Sequence, residues 1–158
     1  MVLSYRRGKF STTSDEIRGA RSIGFGGHVS YEDADFFDAA NSGVLNNAVR
    51  ELREELRLDP VEARRLEDNR FLHLFSFLNV DDTDDARRHL AAVLMFWCSP
   101  TFEPRKGELS INDLTWLSWK RRPNNSGDFE LWSQLLIEHL NGPDFQLRMN
   151  RMQALTGA

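Results

Sequence analysis

The chain of 158 residues is 41% hydrophobic and carries a formal net charge of −4 at pH 7, with both signs spread along it. That length suits one domain, residues 1–158, with a full core, and the acidic balance excludes a nonspecific nucleic-acid binder, which shows a basic surplus. The lone Cys98 leaves no internal disulfide, residues 1–7 lack the apolar core of a signal peptide, and the longest apolar run, residues 90–98, is too short for a bilayer; a cytoplasmic protein without a membrane partner is expected.

Residues 2–10 read as a first strand, and residues 11–21, rich in Ser, Thr and charge, as a loop or a turn of helix. Residues 21–29 read as a strand ending in glycines, with Gly24, Gly26 and Gly27 free to take unusual backbone angles and to let a ligand approach. His28 follows as a structural or substrate-facing residue; magnesium, which prefers oxygen, is not its usual partner. Residues 30–43 are acidic and carry Tyr31, Phe36 and Phe37, which either stack on a base, cap a pocket or tuck into the domain.

The next stretch, residues 45–56, has helical spacing. At about 100° per residue, Leu45, Ala48, Val49, Leu52 and Leu56 form one apolar stripe. Glu51, Glu54 and Glu55, at positions i, i+3 and i+4, share a face beside that stripe, while Arg50, Arg53 and Arg57 fill the remaining arc. Three carboxylates at the edge of a core repel one another, and a divalent cation would relieve the repulsion. The plainer alternative is a solvated helix laced with Arg50/Glu54 and Glu54/Arg57 pairs, each contributing about 0.2–0.5 kcal/mol. Ser42 is placed to cap this helix. Asp59-Pro60 ends it or opens a second short one over residues 61–68.

Arg50-Glu-Leu-Arg-Glu-Glu-Leu-Arg-Leu58 resembles the second half of the Nudix box, G-x5-E-x7-R-E-U-x-E-E-x-G-U, and Gly26-Gly27-His28-Val29 resembles the glycine pair that opens it. Two departures stand out. Arg57 occupies the slot of the last glycine, and Gly27 lies 23 residues before Arg50 where the pattern has 14, an insertion of about nine. Counting back from Arg50 places the first glutamate slot on Ser42. The insertion leaves that glutamate absent or supplied by Glu32, Asp33, Asp35 or Asp38.

Residues 70–80 and 89–99 are the strongest strand signals, apolar on both faces as expected of strands covered by helices on either side. Asp81-Asp82-Thr83-Asp84-Asp85 between them lacks the glycine and distal glutamate of a calcium hand and reads as a solvated hairpin tip. His73, alternating with phenylalanines, reads as a satisfied core histidine. Residues 101–110 form a loop holding Glu103 and Glu108, residues 111–118 a tryptophan-bearing strand, and Lys120-Arg121-Arg122 a basic rim. Trp116 and Trp119 cannot share a strand face, so at most one meets substrate. Residues 129–140 make an amphipathic helix through Phe129, Trp132, Leu135, Leu136 and Leu140, and a tail at 143–158 continues its spacing, docking on the domain or on a second subunit as a homodimer.

The resemblance implies an α/β (α+β) Nudix fold, a mixed sheet sandwiched between helices. It implies a metal-dependent hydrolase of diphosphate linkages in nucleoside diphosphates joined to another group. Mg²⁺ or Mn²⁺ would be held by Glu51, Glu54, Glu55 and the Gly26 carbonyl, with Arg50 bracing the carboxylates. A further glutamate of the Glu103/Glu108 loop, Glu108 by preference, would serve as ligand or base, and His28, Tyr31 and Trp116 are candidates to touch substrate. A catalytically silent module that binds a nucleotide or a protein partner is the alternative, suggested by Arg57 and the displaced first glutamate.

Overall fold

The computed structural model describes residues 1–8, 18–34, 43–68, 70–79, 86–118 and 128–156. Phe36, Phe37, Asp35, Asp38, Ser42, the acidic run at 81–85, Trp119 and the basic cluster at 120–122 lie outside the described residues. The chain gathers into two compact units, one of Met1–Gly26, Leu52–Arg57 and Pro104–Ala158, the other of Gly27–Glu51 and Leu58–Glu103.

In the first unit, β1 (Val2–Arg7) is the centre of a three-stranded antiparallel sheet, flanked by β2 (Arg21–Ser22) and β5 (Ile111–Leu117). The β1/β5 register breaks between Ser4 and Arg6, and Asp113 in that bulge takes φ 49°. Its carboxylate there meets both Arg6 and Arg21. β2 is held from the side by α3 (Leu131–Leu140): the Glu130 amide donates to the Arg21 carbonyl, and the Ile23 amide to Ser133 Oγ. Ser22 Oγ, Ser133 Oγ and Arg7 Nε, the last at 2.8 Å, all converge on the buried Glu130 carboxylate. A buried carboxylate supplied with three donors is a stable arrangement, whereas one with none is not. α3 therefore buries Ser133 and Ile137 deepest, and Trp132, Leu135, Leu136 and Leu140 of the expected stripe are only half-buried. α4 (Pro143–Thr156) sinks Phe145 and Met149 into its own chain, so the tail docks on this unit.

In the second unit, β3 (Leu72–Asn79) and β4 (Leu90–Phe96) form an antiparallel hairpin with a bulge between Leu74 and Ser76. α2 (Pro60–Leu66) starts where Asp59 accepts from the amides of Val61 and Glu62, with proline at its first position, so Asp59-Pro60 opens a helix. α2 is fastened to the end of the hairpin by Glu62, which accepts from the Ser99 amide at 2.9 Å, and by Arg65, which reaches the Trp97 carbonyl and lies over the Phe71 ring. Burial and the neighbouring Glu62 carboxylate push the Cys98 thiol pKa up. His73 Nε2 pairs with the Arg70 carbonyl at 2.7 Å, so it is satisfied although only half-buried.

Three expectations change. Among the described residues the strands form two separate antiparallel sheets where one mixed sheet is expected, and parallel pairing is confined to the isolated Arg21/Phe129 bridge. Residues 23–29 leave the sheet after Ser22, because Ser22 Oγ bonds its own chain at Gly24 and turns it away. The hairpin leaves Leu74 and Phe77 more than half exposed, so apolar residues on both strand faces do not mean cover on both. No helix among the described residues is long and apolar enough to cross a membrane.

Candidate functional site

α1 (Val44–Glu55) forms as its 3.6-residue pattern requires and contributes residues to both units. It begins at Gly43, whose φ of 73° and whose closeness to the Asp33 carbonyl admit no side chain.

On the second unit's portion of α1, Arg50 is the hub. Its Nη1 meets Glu51 Oε1 at 2.9 Å, and its Nε and Nη2 reach the two oxygens of Asp33 at 2.9 and 3.2 Å. Asp33 ends the short 3₁₀ turn Tyr31–Asp33 and is buried; it also accepts from the Ser30 amide and from Asn47 Nδ2. Arg50 foremost, with the Ser30 amide, holds the Asp33 carboxyl well below the usual carboxylate range. Of the two described residues weighed for the displaced glutamate slot, Asp33 is tied to Arg50 and Glu32 is exposed. Asn47 was not singled out in the sequence. Its Nδ2 donates to the His28 carbonyl as well as to Asp33, linking the glycine segment to α1.

Gly27 packs directly on Glu51: a Cβ added there would overlap the Glu51 carboxylate. The glycine pair is therefore needed for close approach at Gly27. At Gly26, where space is open, it is needed for a φ of 148°. His28 is exposed, and its ring lies 5.6 Å from that of His89, inclined by 55°. Tyr31 is 79% exposed.

In the first unit, the last turn of α1 is capped by the loop at residues 105–107. Arg57 donates to the Arg105 carbonyl, Leu56 bridges Lys106, and the Gly107 amide donates to the Glu55 carbonyl, supplying partners to backbone groups a helix end leaves over. A Cβ at Gly107 would overlap the Glu54 carbonyl oxygen. This strapping sets the loop against the helix end, with Glu108 next after Gly107 in it; Glu108 is exposed and accepts from Ser110 Oγ. Glu54 is exposed and Glu55 buried. Glu55 adds its charge to the surroundings of Tyr5, whose hydroxyl is pushed up to about 12, chiefly by burial. Trp116 is half-buried on β5, opposite Leu3 of β1.

The donors at hand suit a hard cation, being carboxylate and carbonyl oxygens, and the missing side chain of Gly27 makes the room that the Glu51 carboxylate takes. Among the described residues no three acidic, histidine or cysteine side chains are drawn together as a metal would draw them. No protein-family model, curated protein or solved structure matches the chain.

Proposed function

We propose that the chain has the Nudix fold and is a metal-dependent hydrolase of diphosphate linkages in nucleoside diphosphates joined to a second group. The observation that carries the reading is α1 itself, with Glu51, Glu54 and Glu55 within one turn, Arg50 gripping Glu51, and bare Gly27 backbone against the same carboxylate. A carboxylate has about four lone-pair sites, so Glu51 can serve a guanidinium and a cation together.

Glu51, Glu54, Glu55 and the Gly26 carbonyl would hold Mg²⁺ or Mn²⁺, which when bound neutralises the diphosphate and acidifies a water. The chain's own part is orientation and proton transfer. Arg50, fixed by Asp33, keeps Glu51 in one rotamer. A carboxylate oxygen of Glu54 or Glu108, both exposed, takes the proton of the attacking water as its oxygen bonds to phosphorus. The bridging P–O bond breaks and the leaving phosphate departs with the electron pair.

The test is phosphate or nucleotide release from nucleoside triphosphates, dinucleoside polyphosphates, sugar nucleotides and dinucleotide cofactors with Mg²⁺ or Mn²⁺, for the wild type and Glu54→Gln. Turnover that requires metal and falls by two orders of magnitude or more in the variant supports the hydrolase. The second reading, a silent module that binds a nucleotide or a protein partner, is favoured by Arg57 in the slot of the last glycine and by the displaced first glutamate. It predicts no turnover and a nucleotide that raises the melting temperature.

A further inference from the structure

Arg57, in the slot of the box's last glycine, lies opposite Arg105 where the loop straps the end of α1, both within the first unit. The Arg57 amide donates to the Arg105 carbonyl at 2.8 Å and the Gly107 amide to the Glu55 carbonyl at 2.8 Å, with Leu56 and Lys106 in an antiparallel bridge between them. Residues opposite each other in an antiparallel pair send their side chains to the same side, with Cβ atoms about 4.5–5.5 Å apart, and like charges so placed destabilise the pair.

An acidic partner would relieve that repulsion, and none is supplied. Glu54, Glu103 and Glu108 each lie within three residues of one arginine or the other. Among the described residues, however, no carboxylate pairs with the side chain of Arg57, Arg105 or Lys106. α1 ends at Glu55, so Arg57 has left the helix and its i, i+3 spacing from Glu54 no longer makes a pair. All three cationic side chains are exposed. Cations near a helix C-terminus offset its dipole, which gives a reason for one charge there but not for two set opposite each other.

Two guanidinium groups on one side of a strap suit an anion with several oxygens. Each is a planar fork of N–H donors matched to phosphate, and the anion's charge removes the repulsion between them. We propose that Arg57 and Arg105, with Lys106 adding to the field, form a phosphate-binding site at the end of α1. The site stands without the hydrolase reading. Its phosphate comes from the substrate of that reaction, whose Glu54 lies three residues before Arg57, or from a separate phosphorylated ligand, and kinetics tell the two sources apart.

The probe is inorganic pyrophosphate, added in EDTA to the wild type, Arg57→Gln, Arg105→Gln and Arg57→Lys and followed by calorimetry at two salt concentrations. Binding to the wild type is expected to weaken with salt, to fall about fivefold or more in each glutamine variant, and to take an intermediate value in Arg57→Lys, which keeps the charge and loses the fork. Melting temperatures close to the wild type show that the loss is local. Where the glutamine variants melt lower, Arg57→Lys carries the test, because it retains the charge at the helix end. A wild type that does not bind pyrophosphate, or glutamine variants that bind it as tightly, overturn the site. In the turnover panel, a KM that rises in Arg57→Gln at nearly constant kcat identifies the phosphate as the substrate's, and an unchanged KM identifies a separate ligand. Failure of every substrate with arginine-dependent pyrophosphate binding intact sinks the hydrolase and leaves the site standing.

Discussion

A methyl group added to Gly27 and one added to Gly107 meet different obstacles. At Gly27 the obstacle is the end of the Glu51 side chain, which can swing aside; at Gly107 it is the Glu54 backbone carbonyl, which cannot move without the helix end. Gly27→Ala is accordingly expected to alter stability by no more than about 1 kcal/mol while displacing Glu51 and reducing any metal-dependent turnover. Gly107→Ala is expected to destabilise by about 1–3 kcal/mol, as overpacking does. Thermal melts beside turnover assays separate the two; equal losses of stability would contradict the difference in what each methyl meets. Asp33 gives a pH dependence. Its folded pKa is depressed, so its contribution is fully present above the unfolded value of about 3.9 and is lost as pH falls through the lower folded one. Asp33→Asn should therefore lower the melting temperature by several degrees at pH 7, with the gap from wild type narrowing only below about pH 4. A gap that is constant down to pH 3 would show that the carboxylate charge is not what Arg50 uses.

At the scale of elements, α2 makes the sharpest prediction. Glu62 is fully buried, one oxygen accepts from the Ser99 amide, and the other has no hydrogen-bond partner among the described residues. Glu62→Gln keeps the amide bond to Ser99 through its carbonyl and removes a charge from the interior, so it is expected to leave stability unchanged or raise it. Glu62→Ala leaves the Ser99 amide unpartnered and a hole beside Leu66, with an expected loss of about 2–4 kcal/mol. Denaturant melts of the two variants settle the order, and a Gln variant as damaged as the Ala one would mean the charge itself is used. The same element shows what the sequence displays openly. Its start is written in Asp59-Pro60, and α1 in the spacing of Leu45, Val49, Leu52 and Leu56, because caps and helical periodicity are local. The partition of the described strands into two sheets is not local: nothing within residues 72–79 or 90–96 says which strands lie beside them. The site divides the same way. The glutamate turn is legible from spacing, whereas the packing of Gly27 on Glu51, the Asp33–Arg50 pair and the meeting of His28 with His89 join residues separated by an insertion or by α1, α2 and β3.

For the molecule as a whole, the carboxylates of α1 couple cation binding to stability in a way that gives opposite signs in two conditions. Glu51 and Glu55 stand at i and i+4 with Glu54 between them on the same face, and such like-charge pairs cost a helix roughly 0.2–0.5 kcal/mol each. Without metal, Glu54→Gln removes part of that repulsion and is expected to melt at or slightly above the wild-type temperature. A cation that binds only the folded chain adds RT ln(1 + [L]/Kd), about 1.4 kcal/mol at ten times Kd, which for a chain of this length is a rise of roughly 3–6 °C. Mn²⁺ titrated against the melting temperature should therefore stabilise the wild type and leave Glu54→Gln nearly unmoved, so that the order of the two proteins reverses between EDTA and saturating metal. Parallel rises in both would place the cation elsewhere on the chain, and a wild type indifferent to Mn²⁺ and Mg²⁺ would remove the metal from the mechanism. The crossing is diagnostic because a merely structural lesion at Glu54 would lower both curves together. Charge relief alone would raise both.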